Sequence, residues 1–163
     1  MARILFALIL VIAALVQATV LPSLNVLAVL PDVTLVLLLV WSALRGVPEG
    51  LIWSFGLGLL LDVIALDPFG ANGLALLGVA VLGGLARRRF FHSNLIVPIL
   101  VATAATFVHA VVLLLVRSGE GAGLPLAAVM RVVFLQALLN AIFVPPLYLV
   151  AGVMDRRLVP SHA

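Results

Sequence analysis

The chain has no cysteine, which excludes disulfides and thiolate metal sites and leaves the redox compartment unread. Lysine is absent too, so the net charge of +3 rests on arginine alone. Charged residues make up only 9% of the 163 positions, against about 25% in a soluble domain. The three histidines stand apart from one another and make no ligand set. No H-E-x-x-H spacing, G-x-S-x-G elbow or phosphate-cradling glycine loop occurs. Gly56-Leu57-Gly58 has too few glycines for such a loop and lies in an apolar run, where small-residue packing accounts for it. These gaps argue against catalysis, and no cofactor or metal is expected.

What is abundant is hydrocarbon. Hydrophobic residues reach 66% and the mean hydropathy is +1.40, more apolar surface than one small core in water can hide. Lipid is therefore the expected solvent. The arginine excess then sets membrane orientation, and nucleic acid is not expected as a partner.

A bilayer-spanning helix needs about 20 residues, because about 30 Å of hydrocarbon is crossed at 1.5 Å per residue. Six segments come near this length, at about 4–21, 31–44, 49–66, 72–86, 94–116 and 127–153. The first resembles a signal peptide, but its apolar region from Ile4 to Val16 is long and shows no obvious small-residue cleavage site, so an uncleaved first helix is expected. Pro31-Asp32 makes a good start for the second, with proline tolerated in the first turn and the acid at the positive end of the helix dipole. Pro145-Pro146 should break or bend the sixth. The junctions are short and hold no soluble domain, so the fold class is all-α, a single compact transmembrane bundle with sequential helices antiparallel. Whether Pro31–Leu66 makes two full spans or a re-entrant pair stays open.

Arginine placement fixes the orientation. With the amino terminus inside, the inner ends carry Arg3, Arg45, Arg87, Arg88, Arg89, Arg156 and Arg157, and the outer ends only Arg117 and Arg131. Positive charge is retained on the cytoplasmic side, and six crossings return the carboxyl terminus there. Arg45, Arg87, Arg88, Arg89, Arg156 and Arg157 are thus expected to anchor the cytoplasmic boundary, where Phe90 and Phe91 dip into the interface and anionic lipid is a natural contact. Trp41 and Trp53 are expected as interfacial anchors, and Arg45 and Glu49 can pair across the inner loop.

Ionisable and amide groups at membrane depth each need a reason. Asp62 sits in the oily run GLGLLLDVIALDPFGANG, about a turn from the outer end of the third helix, with Gly58 on its face. Asp67 belongs to the outer turn, where Pro68 and Gly70 suit a tight reversal and Asn72 can cap the next helix. His109 lies in the outer half of the fifth helix, Gln136 and Asn140 are an i, i+4 pair on the sixth, and Gln17 has a comparable depth on the first. Two readings stand side by side. Such residues act as interhelical hydrogen-bond glue, or Gln17, Asp62, His109, Gln136 and Asn140 converge on an outward-facing polar pocket.

Residues 31–89 carry a resemblance. Pro31-Asp32 opens a hydrophobic helix, Arg45-Gly46 makes a turn, Gly50 and Gly58 space a helix that ends in Leu60-Leu61-Asp62, and Pro68-Phe69-Gly70 turns the chain. The acid follows the two leucines directly in this chain, and in order and spacing the whole stretch resembles the bacterial rod shape-determining protein MreD family. Asp67 departs from that pattern, in which small residues are commoner at the same place. The resemblance implies a non-enzymatic inner-membrane subunit of the cell-elongation complex that binds MreC directly. RodA, a penicillin-binding transpeptidase and the filament protein MreB would be fellow members, and both termini would be cytoplasmic. It also implies a fold similar to the substrate-binding subunits of energy-coupling-factor transporters, which makes capture of a small solute the rival function. Pro31, Asp32, Asp62, Pro68 and Gly70 then become the candidate partner-contact or structural corner. The sparse outer-side polar and aromatic residues favour the scaffold over tight solute capture.

Overall fold

The computed structural model describes residues 2–19, 29–90, 95–118 and 126–158. Six helices follow one another: α1 (Ala2–Thr19), α2 (Val33–Arg45), α3 (Val47–Ala65), α4 (Ala71–Phe90), α5 (Ile96–Ser118) and α6 (Leu126–Leu158). Three of them are long and apolar enough to cross a membrane, over Val47–Ala65, Ile96–Ser118 and Ala127–Val150. The other three are apolar but shorter over Arg3–Thr19, Val33–Arg45 and Ala71–Arg87.

The shortest helix is the centre of the bundle. α2 has 13 residues and so rises only about 20 Å. Thr34, Leu35, Val36, Leu38, Leu39, Val40, Trp41, Ser42 and Ala43 are all buried, which leaves almost no face for lipid. A helix that is apolar all round belongs inside, and α2 packs against each of the other five. Because protein encloses it, α2 has no need to match the thickness of the hydrocarbon. α4 lies against α2, α3 and α5. Its closest approach to α3 is at Gly58, where a Cβ would collide with the backbone of Gly73, so the two chains touch main chain to main chain.

Three expectations need correction. Pro145 and Pro146 lie inside α6, and the helix runs through them unbroken for 33 residues. Packing on both sides holds it: Asn140 and Val144 are fully buried, and Leu147 and Tyr148 pack on the core. Second, the fourth helix does not stop at 86 but continues through the arginine run to Phe90. The side chains of Arg88, Arg89, Arg156 and Arg157 lie outside the described residues. Third, Trp41 is no interfacial anchor. It is 6% exposed and stacks on Phe6 at 3.8 Å between ring centroids, with Trp53 edge-on to Phe6 at 5.3 Å. Glu49 accepts from Arg3 Nε at 2.6 Å and from Trp41 Nε1 at 3.2 Å, while Arg45 lies 5.3 Å from the Trp41 ring centroid. Arg87 reaches back beside Gly46. The end of the bundle at the α2–α3 turn is thus an aromatic cluster ringed by arginines and one glutamate.

Candidate functional site

Where α2 and α4 begin, the polar side chains fall into two hydrogen-bonded groups, each closing the start of a helix. The first forms at the start of α2. Residues 29–32 are non-helical, and such backbone is tolerated at membrane depth only where protein satisfies it. Asp32 caps the helix, its Oδ1 accepting from Leu35 N at 2.9 Å. The same oxygen accepts from Thr34 Oγ1 at 2.8 Å and from Gln17 Nε2 at 3.0 Å. Gln17 Oε1 in turn accepts from Thr34 N at 3.1 Å, and Asn140 Oδ1 accepts from Asp32 N at 2.7 Å. Asn140 also donates from Nδ2 to Thr106 Oγ1 at 3.0 Å. One amide from α1 and one from α6 therefore take two main-chain donors at the entry to the buried central helix.

The second group is the corner between α3 and α4. Asp62 is 1% exposed. Its Oδ2 accepts from Gly70 N at 2.7 Å, and its Oδ1 accepts from Asn72 N at 3.0 Å and Asn72 Nδ2 at 2.9 Å. A carboxylate on α3 thus caps α4, taking donors that the helix start leaves open. Asn72, expected as that cap, instead lies in the first turn and presents its amide to Asp62 and, at 3.1 Å, to Asp67 Oδ2. Arg117 Nη2 closes the corner from α5 by donating to Asp67 Oδ1 at 2.8 Å. The turn itself holds Leu66 in the left-handed region (φ 56°) and Gly70 at φ 92°, where a glycine is at ease and a leucine is not. Pro68 and Gly70 are half-buried, while Leu66 and Phe69 point out, 92% and 81% exposed.

Between these groups α5, α6 and the starts of α2 and α4 line a half-open cavity of about 320 Å³. Asp32, His109 and Gln136 line it, as do Asn72 and Arg117, with Leu113, Leu114 and Val133 as apolar wall. Of the residues expected to meet in one pocket, Gln17 and Asn140 are joined through Asp32, and His109 and Gln136 share the cavity. Asp62 belongs to the corner and is linked to the cavity through Asn72 alone. Among the described residues no group of three His, Cys, Asp or Glu side chains is placed to hold a metal.

Sequence reasoning missed two features. Asp32 was expected at the start of α2 but its bond from Thr34 was not, although an acid followed two residues on by a hydroxyl carries that signal. The bond from Arg117 to Asp67 spans 50 positions, but both residues were placed at outer ends, so an arginine against the charge rule already asked for an acid.

A family model described as rod shape-determining protein MreD matches residues 1–152. No curated protein and no solved structure matches the chain. The match covers all six helices apart from the last turns of α6, and the chain belongs to the rod shape-determining protein MreD family.

Proposed function

We propose that this member of the family is a non-enzymatic scaffold of the rod complex, crossing the bacterial inner membrane six times with both termini in the cytoplasm. In this reading it binds MreC directly and sits beside RodA, a penicillin-binding transpeptidase and MreB, so that peptidoglycan synthesis follows cell shape. Its fold would be of the kind found in the substrate-binding subunits of energy-coupling-factor transporters. Family membership supports the role in shape determination.

The observation that carries the scaffold reading is the use to which the buried acids are put. Asp62 takes three hydrogen bonds from the start of α4, and Asp32 takes three at the start of α2. Both shape main chain and leave apolar side chains to face outward. At the corner those are Leu66 and Phe69; along α3 they are Ile52, Phe55 and Val63, all exposed. Such a surface suits the single transmembrane helix of MreC and the periplasmic segment that follows it, with Asp62 acting beneath the contact rather than in it.

Affinity purification from membranes, with identification of every protein retained, tests this. Recovery of MreC is the expected result. Recovery of an ATPase module with a bound small solute, and no MreC, would overturn it in favour of transport.

A further inference from the structure

One buried group is not explained by the closing of helix ends. His109 is 7% exposed, and its Nε2 has no hydrogen-bond partner. It lines the cavity together with Asp32 and Gln136. Asp32 is itself 6% exposed, its three described side-chain bonds all fall on Oδ1, and the described ion pairs join Arg3 to Glu49 and Arg117 to Asp67. A buried carboxylate outside an ion pair and a buried ring nitrogen without a donor are both costly in a medium of low dielectric. Both residues line the same cavity.

We propose that this cavity is a binding site for a small primary amine, in its ammonium form, carried on an apolar stem. An ammonium has three N–H donors and no acceptor. The residues that line the cavity carry three acceptors of the matching kind: the Asp32 carboxylate, an imidazole nitrogen of His109 and the Gln136 side-chain oxygen. The carboxylate supplies the counter-charge, which an alcohol does not use and a carboxylate ligand would oppose. From His109 to Arg117 the cavity follows two turns of α5, about 12 Å, along the apolar wall of Leu113, Leu114 and Val133. That wall takes the hydrocarbon stem, and Arg117, its charge held by Asp67, marks the outer mouth.

The test uses the full chain purified in detergent at pH 7, with n-hexylamine as probe, since an alkylamine is protonated there as lysine is. n-Hexanol and hexanoate have the same stem and serve as comparisons. The amine should raise the melting midpoint and bind by calorimetry, with the alcohol and the acid at least tenfold weaker. Asp32→Asn removes the counter-charge but also alters the cap of α2. Gln136→Leu, which removes one acceptor, and Ala110→Phe, which fills the cavity from α5, therefore complete the series. Each should weaken the amine on the order of tenfold or more. An amine effect no larger than that of the alcohol, or one that persists in Ala110→Phe, would overturn the proposal. Neither Gln136 nor Ala110 takes part in the hydrogen bonds of the α3–α4 corner, so amine binding and recovery of MreC are read independently.

Discussion

Replacing Asp62 with leucine removes the acceptor of three donors at once: Gly70 N, Asn72 N and Asn72 Nδ2. A buried donor left without a partner costs about 1–3 kcal/mol. Gly70 is half-buried, so water can reach it, and Asn72 Nδ2 keeps Asp67; these two donors belong at the low end of the range. The sum comes to about 3–5 kcal/mol, a large share of the ~5–15 kcal/mol that holds a typical domain. Asp62→Asn keeps one acceptor oxygen and should lose about half as much. The assay is the thermal midpoint of the purified chain in one detergent, read by the fluorescence of Trp41 and Trp53, with monomer recovery as a second measure. Leucine should lower the midpoint most and asparagine by an intermediate amount, and recovery of MreC should fall in the same order. A leucine variant that melts with the parent would refute the claim that this carboxylate holds the corner.

Three further outcomes follow from the same contacts. Gly58→Ala drives a methyl group into the backbone of Gly73 and should cost about 1–3 kcal/mol in the same melt by forcing α3 and α4 apart. Asn140→Leu strips the acceptor from Asp32 N and should cost about 1–3 kcal/mol, with faster hydrogen exchange at the start of α2 as its local signature. Leu66→Gly relieves a left-handed leucine whose side chain is almost wholly exposed; it should raise the midpoint by an amount worth about 1 kcal/mol while weakening any partner that rests on that leucine.

Helix positions were legible because each helix is a continuous apolar run ended by Pro, Gly or Arg. Pro31-Asp32 and Arg45-Gly46 bracket α2 within two residues of where it lies. Facing was not legible. In water, the polar side of a helix marks the surface; in lipid, both the core side and the outer side are apolar, and the contrast that reports rotation is lost. Hence nothing in the run from Val33 to Ala43 showed that it is buried on every side, and Trp41 read as a boundary residue when it is a stacking partner of Phe6. The polar residues were the exception. Counting put Gln17, Asn140, His109 and Gln136 at comparable depths, and Gln17 and Asn140 do meet at Asp32 while His109 and Gln136 line one cavity. Which of them bond to which depends on how helices far apart in sequence lean together. The pairing of Asn140 with Asp32 across 108 positions has no local signal.

The scaffold reading rests on the corner of α3 and α4 facing the periplasm while the α2–α3 turn faces the cytoplasm. The chain has no cysteine, so a single introduced thiol reports alone. Phe69→Cys marks the corner and Pro48→Cys the turn, both at exposed positions. Membrane-impermeant maleimide, applied to cells whose outer membrane alone is opened, should label position 69 and spare position 48 until the inner membrane is breached. Labelling of position 48 with position 69 protected, or of both together, would contradict it.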